Sequence, residues 1–161
     1  RLSSDDSQIS RTEVTEGLVV VSADQAEKGV NFGFGIVAEE GKPLPDPVKL
    51  LAPPEISDNQ SADTSKLQVS WEKLEGAEFY RYQLATDEKF DQVAIDDRTD
   101  DSEIRMDELS PGQYYLRVRG VDQLRLEGFE SVKSYVIEEP PSEEFNVWKI
   151  IIPIGFLLLA L

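Results

Sequence analysis

Apolar and polar residues alternate with a period of two over most of this chain, which is the signature of strands with one buried face. The longest such run follows the turn Leu109-Ser110-Pro111-Gly112. There Tyr114, Leu116 and Val118 point one way and Tyr115, Arg117 and Arg119 the other. Leu67, Val69 and Trp71 share one strand face, and Tyr80, Tyr82 and Leu84 another, opposite Arg81 and Gln83. Shorter strands are predicted at Val93 and Ile95, at Ile104 and Met106, and from Val132 to Ile137. Turns are expected at Glu75-Gly76-Ala77 and at Thr86 to Asp91, and loops at Asp58 to Ser65, Asp96 to Glu103 and Leu124 to Glu130. Short strands at this spacing with turn residues between them predict a β-sandwich over residues 48–138.

Upstream, residues 1 to 10 read as a loop or frayed end. Thr12 to Ser22 reads as strand, Gly17 turn and strand, and Ala23 to Gly29 as a polar connection. Val30, Phe32, Phe34 and Ile36 are expected on one face of a third strand, with Gly33 and Gly35 on the other, where a neighbouring backbone can come close. Lys42 to Pro47 is a Pro-rich, extended connector, and Leu50 to Ile56 an edge strand that tolerates Pro53 and Pro54. Fewer than about 50 residues of short strands do not build an independent core. Residues 1–47 are therefore expected to end a larger β domain or to pair with another chain.

After the sandwich the pattern changes. Residues 139–146 form an acidic, Pro-broken hinge, and 147–161 are almost wholly apolar. A spanning helix needs about 20 apolar residues, so this run reads as the first part of a span or as an interfacial segment. Trp148 suits the headgroup level and Lys149 can snorkel. Ile150, Ile151, Ile152, Phe156, Leu157, Leu158 and Leu159 would meet lipid. The alternative is a buried core segment. The first residue is Arg1, which suggests a removed leader or a missing upstream portion, and the apolar end suggests truncation there too.

Charge narrows the function. Acidic residues number 32 against 16 basic ones, a net charge of −16, which repels nucleic acid. With no cysteine and no histidine, thiolate, zinc-thiolate and imidazole chemistry are excluded. Gly33-Phe34-Gly35 lacks the third glycine and the helix of a nucleotide fingerprint, so no cofactor is expected. The metal candidate is a calcium site from Asp96, Asp97, Asp100, Asp101 and Glu103; a solvated acidic loop is the favoured alternative, since Arg98 lies inside the cluster. Arg81, Arg117 and Arg119 are partner-binding candidates if their strands pair. Cross-strand pairing with the chain's own acids is the favoured alternative. Trp71, Tyr80, Tyr82, Phe90 and Tyr114 read as core rather than as a carbohydrate platform. Nothing places two carboxylates in a cleft, so no enzyme is predicted.

Trp71 together with Leu109-Ser110-Pro111-Gly112-Gln113-Tyr114-Tyr115-Leu116-Arg117-Val118-Arg119 resembles the fibronectin type III pattern. Arg11, Glu13, Val14, Glu16, Gly17, Val19 and Val21, then Gly33-Phe34-Gly35 and Gly41-Lys42-Pro43, resemble the C-terminal part of bacterial FecR-domain envelope proteins. The resemblance covers most of residues 11 to 137, and no peptidoglycan-binding LysM module is visible. It implies an all-β chain, with the last strands of a FecR-type domain and a fibronectin type III-like sandwich, to which the apolar run adds the expected C-terminal membrane segment. It further implies a periplasmic scaffolding or signal-transfer role with no catalytic residues. The expected partners are other envelope proteins and the membrane, in a homo- or hetero-oligomer. The leading expectation is a membrane-tethered interaction module. The second is a structural subunit of an envelope assembly completed by neighbouring chains.

Overall fold

The computed structural model describes residues 1–4, 9–23, 26–57, 61–63 and 65–139. The acidic hinge from residue 140 onward and the apolar segment with Trp148, Lys149 and Ile150 to Leu161 lie outside them. Among the described residues, no helix is long and apolar enough to cross a membrane.

The first strands are β1 (Leu2–Ser4), β2 (Ile9–Val14), β3 (Leu18–Ala23), β4 (Ala26–Asn31), β5 (Phe34–Glu39) and β6 (Val48–Lys49). They form a four-stranded sheet in the order β1-β2-β5-β6 and a separate hairpin, β3-β4. Val14, Val30, Ile36 and Leu44 make a small core between them, flanked by Val21, Ala23 and Ala38. Three expectations change here. Leu2–Ser4 is a strand rather than a frayed end, and the polar stretch from Ala26 is strand rather than connection. The predicted strand through Val30 and Ile36 is broken at Phe32-Gly33, where Gly33 takes φ +82°. Gly33 N–H donates to Val14 O and its carbonyl accepts from Leu50 N–H. The break leaves Val30 and Ile36 buried but turns Phe32 and Phe34 outward.

The second group comprises β7 (Ser61–Asp63), β8 (Lys66–Ser70), β9 (Phe79–Ala85), β10 (Val93–Thr99), β11 (Glu103–Met106), β12 (Gly112–Val121) and β13 (Glu127–Ile137). Sheet β11-β8-β7 lies across sheet β10-β9-β12-β13. β9–β10 and β12–β13 are hairpins, whereas the chain crosses between sheets at β8–β9, β10–β11 and β11–β12. This three-on-four arrangement is that of a fibronectin type III-like sandwich. Its core is built from the predicted inward faces: Leu67, Val69 and Trp71; Tyr80 and Leu84; Ile104 and Met106; Tyr114, Leu116 and Val118. Tyr114 closes the corner before β12, its hydroxyl donating to Ser110 O at 3.0 Å. Such a tyrosine ties the incoming loop to the strand it starts.

Residues 50–57 are extended but carry a single bridge, Ile56 to Trp71, rather than the expected edge strand. Pro53 and Pro54 have no N–H to donate, so the segment cannot complete a ladder on either side. The segment instead makes isolated contacts: Phe129 N–H to Leu51 O, Ser57 N–H to Ser70 O, and the Ser131 hydroxyl to Pro54 O at 2.5 Å. It thereby covers part of the β13 edge, a common protection for sheet margins.

Tyr135 is buried at the far end of this core, and its hydroxyl has no hydrogen-bond partner among the described residues. Burial pushes the phenol from 10.0 to about 12. The folded state thus holds a proton that the unfolded chain releases, so Tyr135 lowers stability as pH climbs from about 10 to about 12. Tyr135→Phe is expected to be neutral or stabilising by about 1 kcal/mol at neutral pH. It should also flatten part of the alkaline loss of stability, measured by urea unfolding at pH 8 and pH 11.

Candidate interaction surface

β12 pairs with β9 so that Arg119 faces Arg81 and Arg117 faces Gln83, the outward row that the alternation predicts. The row is not free. Arg81 makes a two-bond fork to Asp96, at 2.8 and 2.6 Å, and a third bond to Glu127 Oε1 at 2.7 Å. Arg119 donates to Glu127 Oε2 at 2.6 Å and to Glu130 Oε2 at 3.0 Å. Arg117 donates to Gln83 Oε1 at 2.6 Å, and its guanidinium lies 4.1 Å from the centre of the Phe90 ring. Arg119 is only 6% exposed. These geometries correspond to the cross-strand pairing alternative, and the donors of Arg81, Arg117 and Arg119 are directed at the chain's own groups.

Electrostatics follow the geometry. Burial alone would raise the Glu127 carboxyl, but the hydrogen bonds from Arg81 and Arg119 outweigh it and hold it below its ordinary value. The fork from Arg81 does the same to Asp96. Burial and the neighbouring charge of Arg119 lower Arg117.

The network continues into the N-terminal strands. Arg1 reaches Glu127 Oε2 at 3.3 Å and the carbonyls of Glu127 and Gly128 at 2.7 Å. The buried Glu13 carboxylate accepts from Glu127 N–H at 3.2 Å, and Arg11 Nε donates to Leu124 O at 3.0 Å. Apolar contacts reinforce the joint. Phe32 and Phe129 rings are 5.4 Å apart. The Leu50 and Leu126 side chains approach Gly35 so closely that a Cβ there would lie 2.9 and 3.1 Å from them. The close approach expected at Gly35 is thus made by side chains and not by a neighbouring backbone, and it fastens the small sheet to the β12–β13 turn.

The calcium candidate does not assemble. Asp96 and Asp97 belong to β10, which continues through Thr99, and only 100–102 form the turn before Glu103 opens β11. Neighbouring strand residues face opposite ways. Asp96 is held by Arg81 and Gln83, while Asp97 accepts from the Tyr82 hydroxyl at 3.4 Å. Among the described residues no group of three acidic side chains is placed to hold a metal ion. Trp71, Tyr80 and Tyr114 are buried, as a core reading requires, while Tyr82 and Phe90 are half-buried.

The surface that alternation did not reveal lies on β3. Leu18 and Val20 are 60% and 55% exposed, and Leu2 on β1 is 77% exposed. β3 pairs with β4 alone and β1 with β2 alone, so each has an edge without a strand neighbour among the described residues. Leu2, Thr12, Val19, Val20 and Val21 line a groove of about 530 Å³. Leu2, Thr12 and Val21 also line an adjoining one of about 440 Å³ that ends at Glu39 to Gly41. The signal was the unbroken run Leu18-Val19-Val20-Val21. A strand apolar on both faces is one that expects cover on both.

No protein-family model and no curated protein matches the chain. Solved structures similar to it include the following three. FN3tt is 19% identical, with 55% of this chain and 99% of FN3tt covered and a TM-score of 0.44. An Fn3-like protein from Clostridium thermocellum is 16% identical, with 52% and 92% covered and a TM-score of 0.39. A beta-1,2-glucanase from Parabacteroides distasonis is 17% identical, with 74% of this chain but 17% of the glucanase covered and a TM-score of 0.46. Strand order and the Tyr114 corner define the class: an all-β protein carrying a fibronectin type III-like sandwich.

Proposed function

We propose that the chain is a non-catalytic protein–protein interaction module on the periplasmic side of a bacterial membrane. Its N-terminal strands would end a FecR-type β domain, and its apolar C-terminal segment would tether it. The observation that carries this reading is the exposed Leu18-Val19-Val20 edge of β3 beside Leu2. In the mode we envisage, a partner adds an extended strand to that edge. Backbone hydrogen bonds would supply affinity, and alternate side chains would enter the two grooves. The sandwich acts as a rigid spacer, because the arginine–glutamate joint fixes the small sheet to it.

The open edges of both β1 and β3 also favour a second reading, a structural subunit whose sheet is completed by neighbouring copies. The two readings differ in stoichiometry: one partner strand of another protein, or a ring or row of identical chains. Val20→Lys serves both. On an exposed strand position it should change stability by no more than about 0.5 kcal/mol. It should release the chain from its membrane-extracted complex in native mass spectrometry, whereas unchanged complex size would refute docking at this edge.

A further inference from the structure

We infer that the end of the β9–β10 hairpin, around Phe79, Arg98 and Arg125, is a recognition site for an acidic peptide segment of a partner protein. Its residues differ from those of the β3 edge, so it stands or falls separately. The Arg98 and Arg125 guanidinium carbons lie 5.6 and 5.1 Å from the centre of the Phe79 ring. Phe79 and Arg98, with Asp96, Asp97 and Arg81, line a groove of about 280 Å³.

What sets these two arginines apart is the use of charge on this face. Arg1, Arg81, Arg117 and Arg119 each form an ion pair with Asp96, Glu127 or Glu130. Those three carboxylates are thereby committed. Arg98 faces Arg81 across the β9–β10 pairing and so sits at the margin of the row, beyond the acids that neutralise it. Among the described residues neither Arg98 nor Arg125 has an ion pair. Asp97, the acid next to Arg98, is turned to the Tyr82 hydroxyl and to the Arg98 backbone N–H at 2.8 Å. Arg125 is set by its backbone: its φ is +65°, and Asp122 Oδ1 ties the turn through Leu124 and Leu126 N–H at 2.9 Å each.

Stacking a guanidinium on an aromatic ring leaves its in-plane N–H donors unused, and those donors match a carboxylate fork. Two such groups around one ring therefore offer adjacent carboxylate sites with an apolar floor. The chain's net charge of −16 opposes an anionic partner only at long range, because salt screens it beyond about 8 Å. A membrane would have to approach the whole acidic surface, whereas a peptide need touch only this site.

The test uses labelled hexaglutamate as the probe, titrated into the full chain by fluorescence anisotropy, with hexaglutamine and citrate in parallel. Binding that weakens with salt is expected, with about tenfold or greater loss in Arg98→Ala/Arg125→Ala. Arg105→Ala, on an exposed arginine of β11, should leave it unchanged. Both altered arginines are exposed, and circular dichroism checks the fold. Hexaglutamate binding that is absent, or equal in the double variant, would overturn the proposal. So would citrate matching hexaglutamate, or capture by phosphatidylglycerol vesicles lost in the same variant, since these assign the site to small anions or to lipid.

Discussion

Arg119→Glu is expected to unfold the sandwich or to lower its stability by about 3–5 kcal/mol, the range for a broken buried ion pair. Arg119 lies in the centre of the four-stranded sheet, 6% exposed, between Glu127 and Glu130. Reversal would place a third carboxylate among those two, with Arg1 and Arg81 left on Glu127 and only the longer contact of Arg117 left on Glu130. Native domains hold only about 5–15 kcal/mol in total, so the loss should be plain in a urea titration. Arg117→Glu is the contrast. Arg117 is half-buried and leans on Gln83 and Phe90 rather than on a tight carboxylate, and its reversal should cost less, about 1–2 kcal/mol. Arg119→Met should fall between them, because Glu127 keeps Arg81 and Arg1. If Arg117 and Arg119 reversals were equally harmless, the row would be a solvated surface and not a joint.

Trp71→Ala should cost about 3–5 kcal/mol, as expected for removing a large buried aromatic. Trp71 is 3% exposed and sits edge-on to Tyr80 with ring centres 5.2 Å apart. Its backbone also bridges to Ile56, and its N–H donates to Ser102 O in the turn before β11. The indole N–H has no partner among the described residues, so the side chain contributes by volume and not by a hydrogen bond. Trp71→Phe should therefore recover a large part of the loss. The same urea series reads both, and a Phe variant as weak as the Ala one would contradict this account.

The sandwich was legible because its inward faces alternate cleanly and its turns carry Pro and Gly. Tyr114, Leu116 and Val118 could be placed from the period alone. The acidic stretch was not, because composition marks a loop while register decides otherwise. Asp96 and Asp97 are drawn into β10 by pairing opposite Gln83 and Tyr82, and Arg81 then neutralises Asp96. Phe32 and Phe34 misled for a different reason: their spacing fits a strand, but Gly33 between them makes a turn. The Phe79, Arg98 and Arg125 cluster joins residues from three separate segments, and nothing local to any one of them announces it. The β3 edge did leave a trace, in four consecutive apolar residues where half-buried strands alternate.

That edge is the central claim, and because the chain has no cysteine, a single engineered thiol can report on it. A cysteine-linked photocrosslinker at position 20, compared with one at exposed Glu88 on the β9–β10 turn, would be activated in a lysate of the source cells to which the labelled Val20→Cys or Glu88→Cys chain is added. The account predicts one discrete adduct from position 20 and none from position 88. Equal labelling at both positions, or an adduct from position 88 alone, would contradict it.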